Sequence, residues 1–104
     1  MKVVNEKELE KKCINYARSE GFVCWKNENN GNCGIPDFSI LLNNRVFLIE
    51  FKNGNRGVLS GGQKEWKNRF SSIVAIIDNY IDFQTLIRKI KFEGLEDFRE
   101  LEDN

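Results

Sequence analysis

Gly34–Lys52, GIPDFSILLNNRVFLIEFK, holds two apolar runs, Phe38–Leu42 and Val46–Phe51, parted by Asn43-Asn44-Arg45. Phe, Ile, Leu and Val dominate both runs, and Asn accepts the positive φ values that a tight turn demands, so the stretch predicts a β-hairpin. With Asn43 and Asn44 as the loop, Leu41 faces Val46, Ser39 faces Leu48 and Asp37 faces Glu50. A longer loop, from Leu42 to Arg45, keeps the same register. Opposed residues share a sheet face, with Cβ atoms about 4.5–5.5 Å apart. The pleat brings Lys52 to the face of Glu50 as well. The other face (Phe38, Ile40, Leu42, Phe47, Ile49 and Phe51) is wholly apolar.

Two carboxylates and an ammonium group thus meet at the open end of a hairpin otherwise built for a core. Close like charges repel unless a cation lies between them. Hard divalent cations bind through one or two carboxylates together with water and phosphate oxygens. Asp37, Glu50 and Lys52 so arranged suit a metal-dependent phosphodiesterase. The bare spacing also fits a surface salt bridge at a strand end; the hairpin register and the preceding Gly34-Ile35-Pro36 favour a site.

The chain of 104 residues is expected to form one domain over 1–104 with a single core. Apolar content of 40% and charged content of 31% are globular values. No apolar run approaches the ~20 residues of a membrane span. MKVVNEKELEKK lacks a secretory apolar region, so the expectation is an intracellular, cytoplasmic protein with no membrane partner. The sequence contains no histidine, which excludes Ser-His and Cys-His catalysis and, with Cys13, Cys24 and Cys33 lacking CxxC spacing, argues against a zinc site. Cys13 and Cys24 lie among apolar residues and are expected to be buried thiols, whereas Cys33 lies in a loop. Net charge is zero, but its distribution is not even. From Arg45 to Phe70 six cations stand against two acids, which suits a polyanion, while Glu93–Asn104 carries six acids and one arginine. A solvated charged face is the plainer explanation of such runs.

Asn5 is placed to cap a first helix, in which Leu9, Cys13, Ile14, Tyr16 and Ala17 recur at helical spacing before Gly21 ends it. Glu6, Glu10 and Ile14 form a row along one flank of that stripe. Phe22–Lys26 predicts a strand, followed by a polar loop from Asn27 to Gly34 whose Asn and Gly residues are candidates for phosphate contacts. Pro36 fits only at a strand start. The glycine-rich loop after Lys52 lacks the Gly-x-x-x-x-Gly-Lys-Ser/Thr pattern. Ser60 is the expected cap of a helix over 63–70, with Trp66 and Phe70 as core anchors and Gln63 opening near Lys52. Ser72–Ile77 predicts a strand buried on both faces. Asp82 is expected to cap a helix through Phe83, Leu86, Ile87 and Ile90. Beyond it, Leu95 and Phe98 have the chance to dock, although acidity favours a partly mobile tail over 93–104. The order α-β-β-β-α-β-α, with a hairpin feeding a helical crossover, makes an α/β domain with a mixed central sheet flanked by helices.

Gly34-Ile35-Pro36-Asp37, followed by Val46–Ile49 and Glu50-Phe51-Lys52, resembles the PD-(D/E)XK nuclease signature, and more narrowly the virus-type replication-repair nuclease (VRR-NUC) domain. The resemblance extends from Glu10 to about Ile77 and implies a restriction-endonuclease-like core. Glu10, with Cys13-Ile14 and Gly21 after it, matches the family's glutamate on the first helix, Glu6 and Glu8 being alternatives. Leu59 and Gln63 match its Leu-x-x-x-Gln. Carried onto these positions, the resemblance implies catalysis by Asp37, Glu50, Lys52, Gln63 and Glu10. Mg²⁺ or Mn²⁺ would be held by Asp37, Glu50, the Phe51 backbone carbonyl and Glu10. Lys26, Arg56, Lys64 and Lys67 are the candidates for nucleic-acid contacts. The implied activity is a DNA endonuclease, structure-specific for branched or four-way junction DNA, in phage or bacterial replication, recombination or repair. A homodimer is implied too, with Leu95, Phe98, Val58 and Leu59 as candidate contacts. The alternative is a catalytically silent DNA-binding or protein-interaction module on the same scaffold.

Overall fold

The hairpin forms in the register its alternation dictates. The computed structural model describes residues 5–28, 35–52 and 61–101. In chain order the elements are α1 (Glu6–Ser19), β1 (Val23–Lys26), β2 (Phe38–Leu42), β3 (Arg45–Phe51), α2 (Gly61–Arg69), β4 (Val74–Ile77), α3 (Tyr80–Phe92) and a 3-10 turn (Phe98–Leu101). Phe38 pairs with Ile49, Ile40 with Phe47 and Leu42 with Arg45, closing a turn in which Asn43 takes φ 56°. β1 lies antiparallel along β2, β4 lies parallel to β3, and the sheet order is β1-β2-β3-β4. It is a mixed α/β sheet with helical layers.

The apolar face of the hairpin is the floor of the core. Ile40, Phe47, Ile49 and Phe51 are fully buried there under Leu9, Cys13, Ile14 and Ala17 of α1 and Phe83, Leu86, Ile87 and Ile90 of α3. Burying such side chains contributes roughly 1.5–3 kcal/mol each before chain entropy is counted. The Asn5 side chain accepts from the Glu8 N–H at 2.8 Å to cap α1. At the other end Gly21, at φ 93°, lets its own N–H reach Arg18 O and the Phe22 N–H reach Ala17 O. That double bond pattern is the Schellman stop. Cys13 and Cys24 are both buried; burial pushes the Cys13 thiol up to about 12 and raises that of Cys24.

Four expectations are corrected. Trp66 and Phe70 are not core anchors: Phe70 is 37% exposed, and the two rings pack on each other at 4.9 Å. α2 instead turns polar side chains to the sheet, Gln63 toward Glu50 and Lys67 onto the Val74 carbonyl. β4 begins at Val74 rather than Ser72 and is an edge strand, so Ala75 and Ile76 are only half-buried. Asn79, not Asp82, caps α3, accepting from the Asp82 N–H at 2.8 Å. Leu95 and Phe98 are buried in this chain's own core, Phe98 stacked on Phe47 at 4.7 Å, which removes them as contacts between copies. Ser60, Cys33, Arg56, Val58 and Leu59 lie outside the described residues. Among those described, no helix is long and apolar enough to cross a membrane.

Candidate active site

A break in the ladder builds the site. The Leu48 and Lys52 N–H groups donate to Ile73 and Ile77 of the β4 side, so the N–H groups of Phe47, Ile49 and Phe51 face β2. In this register Phe51 lies opposite Pro36, which is buried and has no N–H to give the Phe51 carbonyl. The Asp37 carboxylate moves into that gap, Oδ2 accepting from the Phe51 N–H at 2.9 Å. It therefore lies at the end of the sheet, where side chains of both layers meet.

Glu50 projects from the face opposite the core, yet is only 4% exposed. Its Oε2 accepts from Gln63 Nε2 at 2.9 Å and stands 3.8 Å from Lys52 Nζ. Lys52 Nζ donates to Gln63 Oε1 at 2.9 Å, so the Gln63 amide ties acid and ammonium together. The other oxygen, Oε1, is buried with no hydrogen-bond partner among the described residues. A buried polar atom left unpaired is costly and calls for an account. Burial, and then the Asp37 charge, push the Glu50 carboxyl up to about 7; Lys52 pulls the other way and Glu6 adds to the rise.

From the core side, α1 contributes two acids one turn apart. One carboxylate oxygen from each of Glu6, Glu10 and Asp37 lies within 4.8 Å of the others. Glu10 is nearly buried, pairs with Lys26 Nζ at 3.5 Å, and has its pKa raised by burial first and by Asp37 next. Glu8 is outside this cluster; its N–H is bound to the Asn5 cap. The helical row of Glu6 and Glu10 was visible in sequence, but that both reach Asp37 depends on how α1 packs.

Lys64 is exposed on α2, and Lys67 Nζ donates to the Val74 carbonyl at 3.0 Å. Arg45, counted in the basic segment, is bound instead to the carbonyls of Ile90 and Leu95. Sequence reasoning missed Ser39, and it took Asn27 as a candidate phosphate contact, whereas Asn27 is bonded within the chain. Asn27 N donates to Asp37 O at 2.8 Å, Asn27 Nδ2 donates to Pro36 O at 2.9 Å, and Ser39 Oγ donates to Asn27 Oδ1 at 2.9 Å. The hairpin register puts Ser39 on this face, but Asn27 arrives only through the β1–β2 pairing.

No family model matches the sequence, and no curated protein matches it significantly. The fold does have a counterpart among solved structures. A structure described as a VRR_NUC domain superposes with a TM-score of 0.71 over 80% of this chain and 94% of that one, at 20% identity. The chain has the VRR-NUC fold. Four carboxylates, Glu6, Glu10, Asp37 and Glu50, stand at one end of the central hairpin of this VRR-NUC fold, with Lys52 beside them. Such hard oxygen donors, one of them buried and without a hydrogen-bond partner among the described residues, fit a divalent cation of the Mg²⁺ class.

Proposed function

We propose that this VRR-NUC-fold chain is a metal-dependent endonuclease that hydrolyses phosphodiester bonds in DNA, acting on branched substrates such as four-way junctions. The observation that carries it is Glu50, whose buried Oε1 has no hydrogen-bond partner among the described residues while Oε2 is tied through Gln63 to Lys52. Asp37, Glu50 and the Phe51 carbonyl are the ligands we assign to Mg²⁺ or Mn²⁺, with Glu10 and Glu6 completing the site from α1. When bound, the cation supplies Lewis-acid stabilisation of charge on the phosphate and leaving oxygen.

The remaining work falls to the chain's own groups. Lys52 orients the attacking water, assists its deprotonation and stabilises negative charge at the phosphate. Gln63 holds Lys52 toward the water while fixing one oxygen of Glu50. Lys64 and Lys26, with Arg56, supply phosphate contacts; Lys67 contributes field rather than a free ammonium group, since it is bound to β4. Symmetric cleavage of a four-way junction needs two such sites on a two-fold axis, hence a homodimer.

Labelled linear, flap, forked and four-way substrates, each incubated with Mg²⁺, Mn²⁺ or EDTA, test the proposal. Cleavage is expected with either metal and not with EDTA, strongest on the junction. Glu50→Ala and Lys52→Ala should abolish cleavage but leave DNA affinity within about tenfold, a change of ~1.4 kcal/mol. Tight DNA binding with no cleavage under any metal would make the chain a binding module. Undiminished cleavage in Glu50→Ala would put the active site elsewhere.

A further inference from the structure

We propose that Asn27 is a positioning residue for the metal site, and that its side-chain amide, oriented by Ser39, holds Asp37 in the place where it binds the cation. The inference rests on the nuclease proposal above and goes past it to a residue pair, Asn27 just after β1 and Ser39 on β2.

Pro36 removes one N–H from the ladder where Asp37 must be held most firmly. The segment is therefore fixed from β1. Asn27 grips it twice, its N–H on the Asp37 carbonyl at 2.8 Å and its Nδ2 on the Pro36 carbonyl at 2.9 Å. The Ser39 hydroxyl, on a residue only 5% exposed, donates to Asn27 Oδ1 at 2.9 Å, which leaves Nδ2 aimed at Pro36. On its other side, Asp37 accepts the Phe51 N–H. Asp37 is thus clamped between Asn27, one residue past β1, and Phe51 of β3, although it stands one residue before its own strand begins.

A clamp is needed because of charge. Glu6 and Glu10 approach Asp37 from α1 and Glu50 from the adjacent strand. Without metal, repulsion drives Asp37 outward, and a loosened backbone would let it go. A clamped Asp37 keeps the carboxylates facing one another, so the cation binds a site already assembled and relieves the repulsion on arrival. Groups that orient metal ligands in this way typically cost 10–100-fold in metal affinity or activity when removed.

The test uses the full chain and reads metal binding directly. Mn²⁺ affinity is measured by calorimetry on metal-free protein, alongside melting in EDTA and kcat and KM on a junction substrate. Asn27→Ala keeps the backbone bond and loses both amide bonds. It should weaken Mn²⁺ binding at least tenfold and lower kcat by a similar factor, with KM for DNA within twofold. Ser39→Ala, which only frees the amide to rotate, should shift affinity in the same direction by a smaller factor. Ile90→Val, a fully buried core change remote from these residues, supplies a matched loss of melting temperature and should leave Mn²⁺ affinity unchanged. Asn27→Ala that melts lower but binds Mn²⁺ as the wild type does would overturn the proposal and leave the nuclease assignment intact. Wild-type protein that neither binds Mn²⁺ nor cleaves would overturn both.

Discussion

Glu50 sits where its surroundings disfavour its charge, and that has a consequence with a definite sign. Its carboxyl is raised from 4.5 to about 7, by burial and then by Asp37. Between those values the folded state keeps a proton that the unfolded chain has released, so stability falls as pH rises through the window. Metal-free protein should therefore melt lower at pH 7 than at pH 5, and Glu50→Gln, with nothing to ionise, should show a flatter profile. A cation needs the ionised carboxylate, so the stabilisation given by millimolar Mn²⁺ should be large at pH 7.5 and shrink at pH 5.5. Asp37→Asn should weaken that stabilisation at every pH. Thermal unfolding over this range decides the matter, and parallel profiles for wild type and Glu50→Gln would rule out Glu50 as the titrating group.

Elements differ in how much of them can be read locally. The β2–β3 register was legible because a period of two leaves one face wholly apolar, and slipping it by one residue would turn Phe47, Ile49 and Phe51 to the outside. α1 was legible too, since Asn5 and Gly21 punctuate it. The start of α3 was not, because Asn79 and Asp82 are both good capping residues and stand three apart. Their bonds are reciprocal: Asn79 Oδ1 takes the Asp82 N–H, and Asn79 Nδ2 donates to Asp82 Oδ2, each at 2.8 Å. The end of β4 at Ile77 decides between them by fixing where the helix must begin. Asn79→Ala should cost about 1 kcal/mol, which for a chain of this size lowers the melting temperature by roughly 4–8 °C. Asp82→Ala should cost distinctly less, since its backbone N–H still reaches Asn79; an equal loss would return the capping role to Asp82. The candidate metal site shows the same limit. Asp37, Glu50 and Lys52 follow from one hairpin, whereas Glu6 depends on the packing of α1 and Asn27 on the pairing of β1 with β2.

At the scale of the whole molecule, composition hid the role of the C-terminal segment. The acidic composition of 93–104 favours solvent, but two apolar side chains within it decide where the described part, residues 93–101, lies. Leu95 and Phe98 are 5% and 6% exposed, Phe98 stacks on Phe47, and its N–H donates to Ser72 O at 2.7 Å. Arg45, from the far end of the hairpin, binds the carbonyls of Ile90 and Leu95 and so ties the end of α3 to β3. The segment closes the core at the end of the sheet opposite the carboxylates. Phe98→Ala should therefore cost about 3–5 kcal/mol, as deletion of a buried aromatic ring does. The loss should be the same at 5 μM and 200 μM protein, because a contact within one chain does not depend on a second copy. A loss that vanishes at high concentration would instead place Phe98 between copies. Sedimentation then addresses the assembly separately. A homodimer should run at twice the 12.2 kDa chain mass and keep that mass in Phe98→Ala at temperatures where the variant is folded. A monomer at both concentrations, nicking one strand at a time, would withdraw the four-way junction as substrate while leaving the hairpin chemistry in place, since Asp37, Glu50 and Lys52 belong to a single chain.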